Sequence, residues 1–229
     1  MEDALAGTGT GRKVRYYKKD FWREENLKFA RPHFRLIKCA KIIDTISQGR
    51  ECSLLDVGCG PAFLRQAIGE NIHYHGIDIA IQEPAEDLIE VDFLEAPIQF
   101  DDKRFDIIVA QGVFEYVGKF QAQKLDEIAG LLNDGGTFIA TYVNFRHRNR
   151  EIYSPYSNIQ PLDEFRADLA RNFTIQRQFP TSHNWSHSEP NRKIIKAVNM
   201  HLNADIPLIS PKLAVEYFFI CSARKQTGQ

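Results

Sequence analysis

A chain of 229 residues with 43% hydrophobic and 26% charged residues has the size and composition of one globular domain with a sizeable core, which sets aside disordered and fibrous classes. Its 29 lysines and arginines against 30 aspartates and glutamates leave a formal charge of -1, without the strongly basic balance of a nucleic-acid binder; the run Arg146, His147, Arg148, Asn149, Arg150 reads as a solvated loop. No apolar stretch reaches bilayer length, no signal-peptide pattern is present, and Cys39, Cys52, Cys59 and Cys221 show neither a CxxC pair nor metal-ligand spacing, so a cytoplasmic protein with reduced thiols and no bound metal is expected.

Residues 1–15 are small and polar and read as a disordered tail, followed by an aromatic cluster of Tyr16, Tyr17, Phe21 and Trp22. Pro32 suits the first turn of a helix, and Leu36, Cys39, Ile43 and Ile46 give that helix an apolar face that Gly49 ends. The apolar run 53–57 predicts a buried strand, and Leu64, Ala67 and Ile68 a short helix behind it. Strands follow at 74–78, 88–91 and 105–110; only about nine residues, interrupted by Pro84, separate Asp78 from the third strand, at 88–91, too few for a full crossover helix. Leu125, Ile128 and Leu132 mark a helix that stops at the turn Asn133, Asp134, Gly135, Gly136, before a fifth strand at 137–143. Leu162, Phe165 and Leu169 mark another helix, and strands at 173–179 and 214–221 close the chain around a helical stretch near 192–201. Alternation of strands and helices predicts a mostly parallel α/β sheet, its last two strands pairing antiparallel.

The chemistry concentrates where the first strand ends, at Asp56, Val57, Gly58, Cys59, Gly60, Pro61, Ala62. Glycines at a strand-to-helix turn let backbone approach a ligand at the carboxyl edge of a parallel sheet. A dinucleotide fingerprint would need a third glycine at the position of Phe63, where a phenylalanine blocks close packing of helix on strand. The carboxylate of Asp56 is a poor neighbour for a pyrophosphate and a good one for a cation, such as the sulfonium and ammonium of S-adenosylmethionine. Asp78 lies 22 residues after Asp56 at the end of the second strand, where an acid can take a ribose diol. Asp92 and Phe93 end the third strand, offering an acceptor for an exocyclic amine and a face for a ring.

These segments, with Gln111, Gly112 and the tripeptide Glu115, Tyr116, Val117 after the fourth strand, resemble the motifs of the class I S-adenosylmethionine-dependent methyltransferases over about residues 53–143. The resemblance implies a Rossmann-like, mostly parallel seven-stranded sheet with an antiparallel edge strand and helices on both faces. It implies a single methyltransferase domain over 16–229, with an N-terminal helical cap or lid at 16–50 and an acceptor-side insertion at 180–212 before the last strand. S-adenosylmethionine, leaving as S-adenosylhomocysteine, would be held by Asp56, Gly58, Gly60, Asp78, Ile79, Asp92, Phe93 and Gln111. Tyr116, His147, His183 and His187 are the candidates for acceptor contact or proton transfer; Tyr153, Tyr156 and Asn158 for the acceptor's wall. A Tyr16–Trp22 lid and simple core packing both fit the aromatic cluster, and a loop folded around Trp185 fits His183 and His187 equally. The expected reaction is methyl transfer to oxygen or nitrogen of a small polar biosynthetic molecule or sugar, with no nucleic-acid or membrane partner and the oligomeric state left open. The alternatives are a catalytically silent cofactor-binding regulatory or scaffolding subunit, and a methyltransferase acting on a macromolecule.

Overall fold

Successive residues of the central apolar runs point to opposite faces of one sheet, and both faces are covered. In the computed structural model, which describes residues 18–26, 33–98, 100, 103–144, 160–184 and 189–224, the strands are β1 (Cys52–Val57), β2 (Ile72–Asp78), β3 (Leu88–Glu90), β4 (Phe105–Ala110), β5 (Leu132–Val143), β6 (Phe173–His183) and β7 (Ala214–Ala223). They form a seven-stranded sheet in the order β3-β2-β1-β4-β5-β7-β6. β1 to β5 run parallel, while β7 is antiparallel to both β5 and β6. The chain leaves β1 toward β2 and β3 and returns on the other side through β4, so the strand order reverses between β1 and β4, the place where open α/β sheets hold ligands.

Leu55, Val57, Ile108, Ala110 and Phe138 face helices α3 (Gln121–Leu131) and α4 (Leu162–Asn172), whose Leu125, Ile128, Phe165 and Leu169 are buried against them. Phe165 also stacks on Tyr142, with ring centroids 4.1 Å apart. On the other face Leu54, Ile107, Val109, Ile139 and Phe218 meet Cys39, Ile42 and Ile43 of α2 (Phe34–Ser47). Each such fully buried side chain contributes roughly 1.5–3 kcal/mol. The His33 side chain caps α2 by accepting from Arg35 N, and left-handed Gln48 with Gly49 ends it. α1 (Lys19–Asn26) precedes it; α5 (Glu189–Leu202) and the short α6 (Ser210–Leu213) lie between β6 and β7. Among the described residues no helix is long and apolar enough to cross a membrane.

Several expectations change. Behind β1 there is no helix but a string of turns, with Arg65 N, Gln66 N and Ala67 N bonding three residues back, after Ala62 has taken a left-handed φ of 53°. Leu64 is buried there as expected, whereas Ala67 is exposed. β5 begins at Leu132, and the expected turn survives as a register shift in its pairing with β4, accommodated by Gly135 at φ 76°. β6 continues through Pro180 to His183, because on an edge strand at a register shift the missing N–H interrupts little. The short β2–β3 connection carries no helix, as its length implied. The expected tail, Tyr16, Tyr17 and Pro32 lie outside the described residues.

Candidate functional site

The carboxyl ends of β1, β2 and β4 surround a cavity of about 320 Å³. Asp56, Gly58, Cys59 and Gly60 line it from β1 and its turn, Asp78 and Ile79 from β2, Asp92 and Phe93 from the segment after β3, and Gln111, Gly112 and Tyr116 from the segment after β4. The turn is stitched to β2: Gly58 N and Cys59 N donate to Ile77 O at 2.8 and 3.0 Å, and Gly60 N donates to Asp78 Oδ2 at 2.8 Å. Gly58 holds φ 70°, and a Cβ there would meet Val113 Cγ2 at 2.5 Å, so both backbone and space require glycine. Asp78 also accepts from Ala80 N at 2.8 Å and, weakly, from Asn26 Nδ2 of α1 at 3.5 Å. Burial raises the Asp78 carboxyl above its ordinary pKa, and these hydrogen bonds only partly oppose it.

Asp56 is 4% exposed and accepts from the Tyr74 hydroxyl at 2.9 Å. Burial pushes its carboxyl up to about 7, against the pull of that hydrogen bond and with Asp78 adding repulsion. Asp92 caps its own turn by accepting from Leu94 N at 3.0 Å.

On the β4–β5–β7 side the cavity changes character. Arg35, from the first turn of α2, donates through Nη1 to Glu216 Oε1 at 2.6 Å, and its Nη2 lies 3.5 Å from Gln111 O. The guanidinium rests on Gly112, where a Cβ would sit 2.9 Å from Nη2. Burial works against the Arg35 charge, but the carboxylates of Glu216 and Glu115 together hold its pKa above the ordinary value. Glu115 and Glu216 are 6% and 7% exposed. Trp22 of α1 meets Tyr116 edge-on with centroids 4.7 Å apart, and Gln111 Oε1 is buried with no hydrogen-bond partner among the described residues.

Residues 55–140 match the family model described as a methyltransferase domain. The N-methyltransferase NodS from Bradyrhizobium japonicum WM9, in complex with S-adenosyl-l-homocysteine, superposes with a TM-score of 0.58 at 11% identity, over 90% of this chain and 98% of that one. The chain has the class I methyltransferase fold. A chain from the Haloferax volcanii complex formed with the Trm112 methyltransferase activator is similar at TM-score 0.60 and 17% identity, over 93% and 98% of the two chains. The plantazolicin methyltransferase BpumL, in complex with a pentazolic desmethylPZN analog and SAH, gives 0.57 and 15%, over 90% and 91%. No curated protein matches the sequence.

Within this methyltransferase fold, all the residues expected around a cofactor, Asp56, Gly58, Gly60, Asp78, Ile79, Asp92, Phe93 and Gln111, line one cavity, and Tyr116 joins them. His183 does not. It ends β6, 3% exposed, with Nε2 2.7 Å from Ser210 Oγ and Nδ1 2.7 Å from Asn199 Nδ2, so both ring nitrogens are engaged in the packing of α5 and α6 on the sheet edge. The expected loop is strand at this point, and burial lowers the imidazole pKa. His147, His187, Tyr153, Tyr156, Asn158 and Trp185 lie outside the described residues. Sequence reading missed Asn26, His33, Arg35, Glu115 and Glu216 as lining residues. Glu115 alone had a signal, its place in the tripeptide after β4. Among the described residues no group of three His, Cys, Asp or Glu could hold a metal ion.

Proposed function

We propose that this domain binds S-adenosylmethionine in the cavity and transfers its methyl group to an oxygen or nitrogen of a small polar biosynthetic molecule or sugar. One observation carries the reading: Asp56, Asp78 and Asp92, from the ends of three successive parallel strands, line one cavity beside the glycine turn. The lining is rich in acceptors, including the orphan Gln111 Oε1, and therefore suits a ligand that brings hydroxyls, amines and positive charge. The presence of S-adenosylhomocysteine in two similar folds supports the same choice.

When bound, S-adenosylmethionine supplies an electrophilic methyl on a sulfonium, and the protein's task is alignment and exclusion of water. Asp78 takes the ribose diol through the acceptor capacity left by its backbone bonds, Asp92 and Phe93 meet the adenine edge and face, and Asp56 offsets the cationic methionyl end. Gln111 and Gly112 flank the transferred methyl, and Tyr116 orients the acceptor. Trp22 and Asn26 bring α1 over the cavity as its lid. His147 and His187 remain the candidates for proton transfer beyond the described residues. A formal charge of -1 disfavours nucleic acid. Four buried free cysteines support a reducing, cytoplasmic setting.

Titration calorimetry tests the reading. S-adenosylhomocysteine is expected to bind at micromolar strength and NAD not at all; the opposite pattern rejects the proposal.

A further inference from the structure

Resting on the methyltransferase reading, we infer that Thr141 is a positioning residue, whose buried hydroxyl sets the Gln111–Gly112 peptide beside the sulfur of S-adenosylmethionine. β4 and β5 pair in register as far as Ala110 and Ala140. One residue further the chain turns away from β4, while β5 runs on beside β7 with Thr141 opposite Phe218. Where the strands part, Gly112 N donates to Thr141 Oγ1 at 2.9 Å. Thr141 is fully buried and follows the apolar run Phe138, Ile139, Ala140, where a hydroxyl needs a hydrogen-bond partner. The turn supplies it.

Thr141 does not line the cavity, whereas Gln111 and Gly112 do, so its effect on a ligand passes through the turn. Both polar atoms of one peptide unit are engaged there. Gly112 N meets Thr141, and Gln111 O faces Arg35 Nη2 at the longer distance of 3.5 Å. Gly112 holds a left-handed φ of 68°, but glycine populates many conformations and does not select that one by itself. The guanidinium of Arg35 closes the space beside it: a Cβ on Gly112 would sit 2.9 Å from Nη2 and 3.0 Å from Nη1. The Thr141 bond is the shorter of the two and holds the peptide plane.

The plane matters because Gln111 leaves it toward the cavity with Oε1 buried and without a hydrogen-bond partner among the described residues. Rotation of the peptide would carry both Gln111 O and the origin of that side chain with it. In-line transfer tolerates little displacement of the wall beside the reacting atoms. Loss of the Thr141 acceptor would leave Gly112 N–H buried and unpaired, and turning the peptide toward another acceptor is the available relief.

Thr141→Val tests this in the full chain. Its methyl has the shape of the hydroxyl but cannot accept, and cannot stay 2.9 Å from a nitrogen. S-adenosylhomocysteine is expected to bind the folded variant about tenfold more weakly by calorimetry, about the worth of one hydrogen bond. The amide proton resonance of Gly112 is expected to move upfield. Thr141→Ser keeps the hydroxyl and loses the methyl; it is expected to retain wild-type affinity and the Gly112 resonance while its denaturation midpoint falls. Thr141→Ala, the second removal should valine prevent folding, is expected to weaken binding as valine does. Wild-type affinity in a folded valine or alanine variant overturns the inference, as does equal weakening by serine and valine, which would make the residue a matter of packing alone. Absence of S-adenosylhomocysteine binding to the wild type rejects the methyltransferase reading and this inference with it, whereas binding that survives Thr141→Val rejects the positioning role alone.

Discussion

Asp56 sits where function and stability conflict, and Asp56→Asn measures the conflict. Its carboxyl is 4% exposed and has one hydrogen bond, from Tyr74, to offset the loss of water. Burial raises its pKa from 3.8 to about 7. The sign follows from proton counting. Between these values the native state holds a proton that the unfolded chain has released, so stability falls as pH rises from about 4 to about 7 and is level beyond. At about 1.4 kcal/mol per pKa unit, the full loss is about 4 kcal/mol. Asparagine cannot ionise and can still accept from the Tyr74 hydroxyl, so its advantage over aspartate should grow by about 3 kcal/mol between pH 5 and pH 8. Urea unfolding of both proteins at the two pH values gives this difference directly, and any fixed cost of the amide cancels. Equal differences at pH 5 and pH 8 would refute the burial argument. Under the proposed function the same variant binds S-adenosylhomocysteine more weakly, so a protein more stable at pH 8 would be the poorer binder.

Gly58→Ala combines a left-handed residue, roughly 1–2 kcal/mol, with a Cβ 2.5 Å from Val113 Cγ2, roughly 1–3 kcal/mol more. Placing it in a Val113→Ala background should recover the clash but not the backbone strain, and equal losses in both backgrounds, by denaturation midpoint, would remove the packing argument. Lys38 is fully buried, its Nζ donating to Pro180 O at 2.8 Å and Asn199 O at 2.9 Å, and burial lowers its pKa to about 8. A lysine so lowered loses its proton in the native state first, so its contribution rises with pH between about 8 and 10.5; Lys38→Met should lack about 2–3 kcal/mol of the stability that the wild type gains between pH 7.5 and pH 10. Parallel stability profiles for the two proteins would show that the ammonium is not strained by burial.

β1 and β4 were legible because each is a short apolar run, a local signal that both-face burial enforces. Elements failed where two structures share one pattern. Leu64, Ala67 and Ile68 fit a helix, but they fit a chain of three-residue-back turns as well, and left-handed Ala62 decides for the turns. Pro180 announced the end of a strand, yet it lies on an edge, where its missing N–H removes little from the ladder. His183 looked like a loop residue because Pro180 and Pro190 bracket its segment. Its ring instead forms a buried hydrogen-bonded cluster with Asn199 and Ser210 that no periodicity reports.

The two halves of the cavity differ in legibility for a physical reason. Asp56, Asp78 and Asp92, proposed for the cofactor, stand at or just beyond the ends of three different parallel strands, and parallel strands bring their carboxyl ends together whatever their separation in sequence. Strand-end acids can therefore be read one at a time and still converge on one ligand. The part of the cavity around Arg35 and Glu216 has no such rule. Arg35 and Glu216 are 181 residues apart, one on a helix and the other at the start of the antiparallel strand, and only the reversal of β7 turns that start toward the cavity. Neither residue means much alone, since an arginine in a helix or a glutamate before an apolar strand is ordinary surface chemistry. Their pairing depends on strand order, the feature of this fold that sequence pattern leaves least determined.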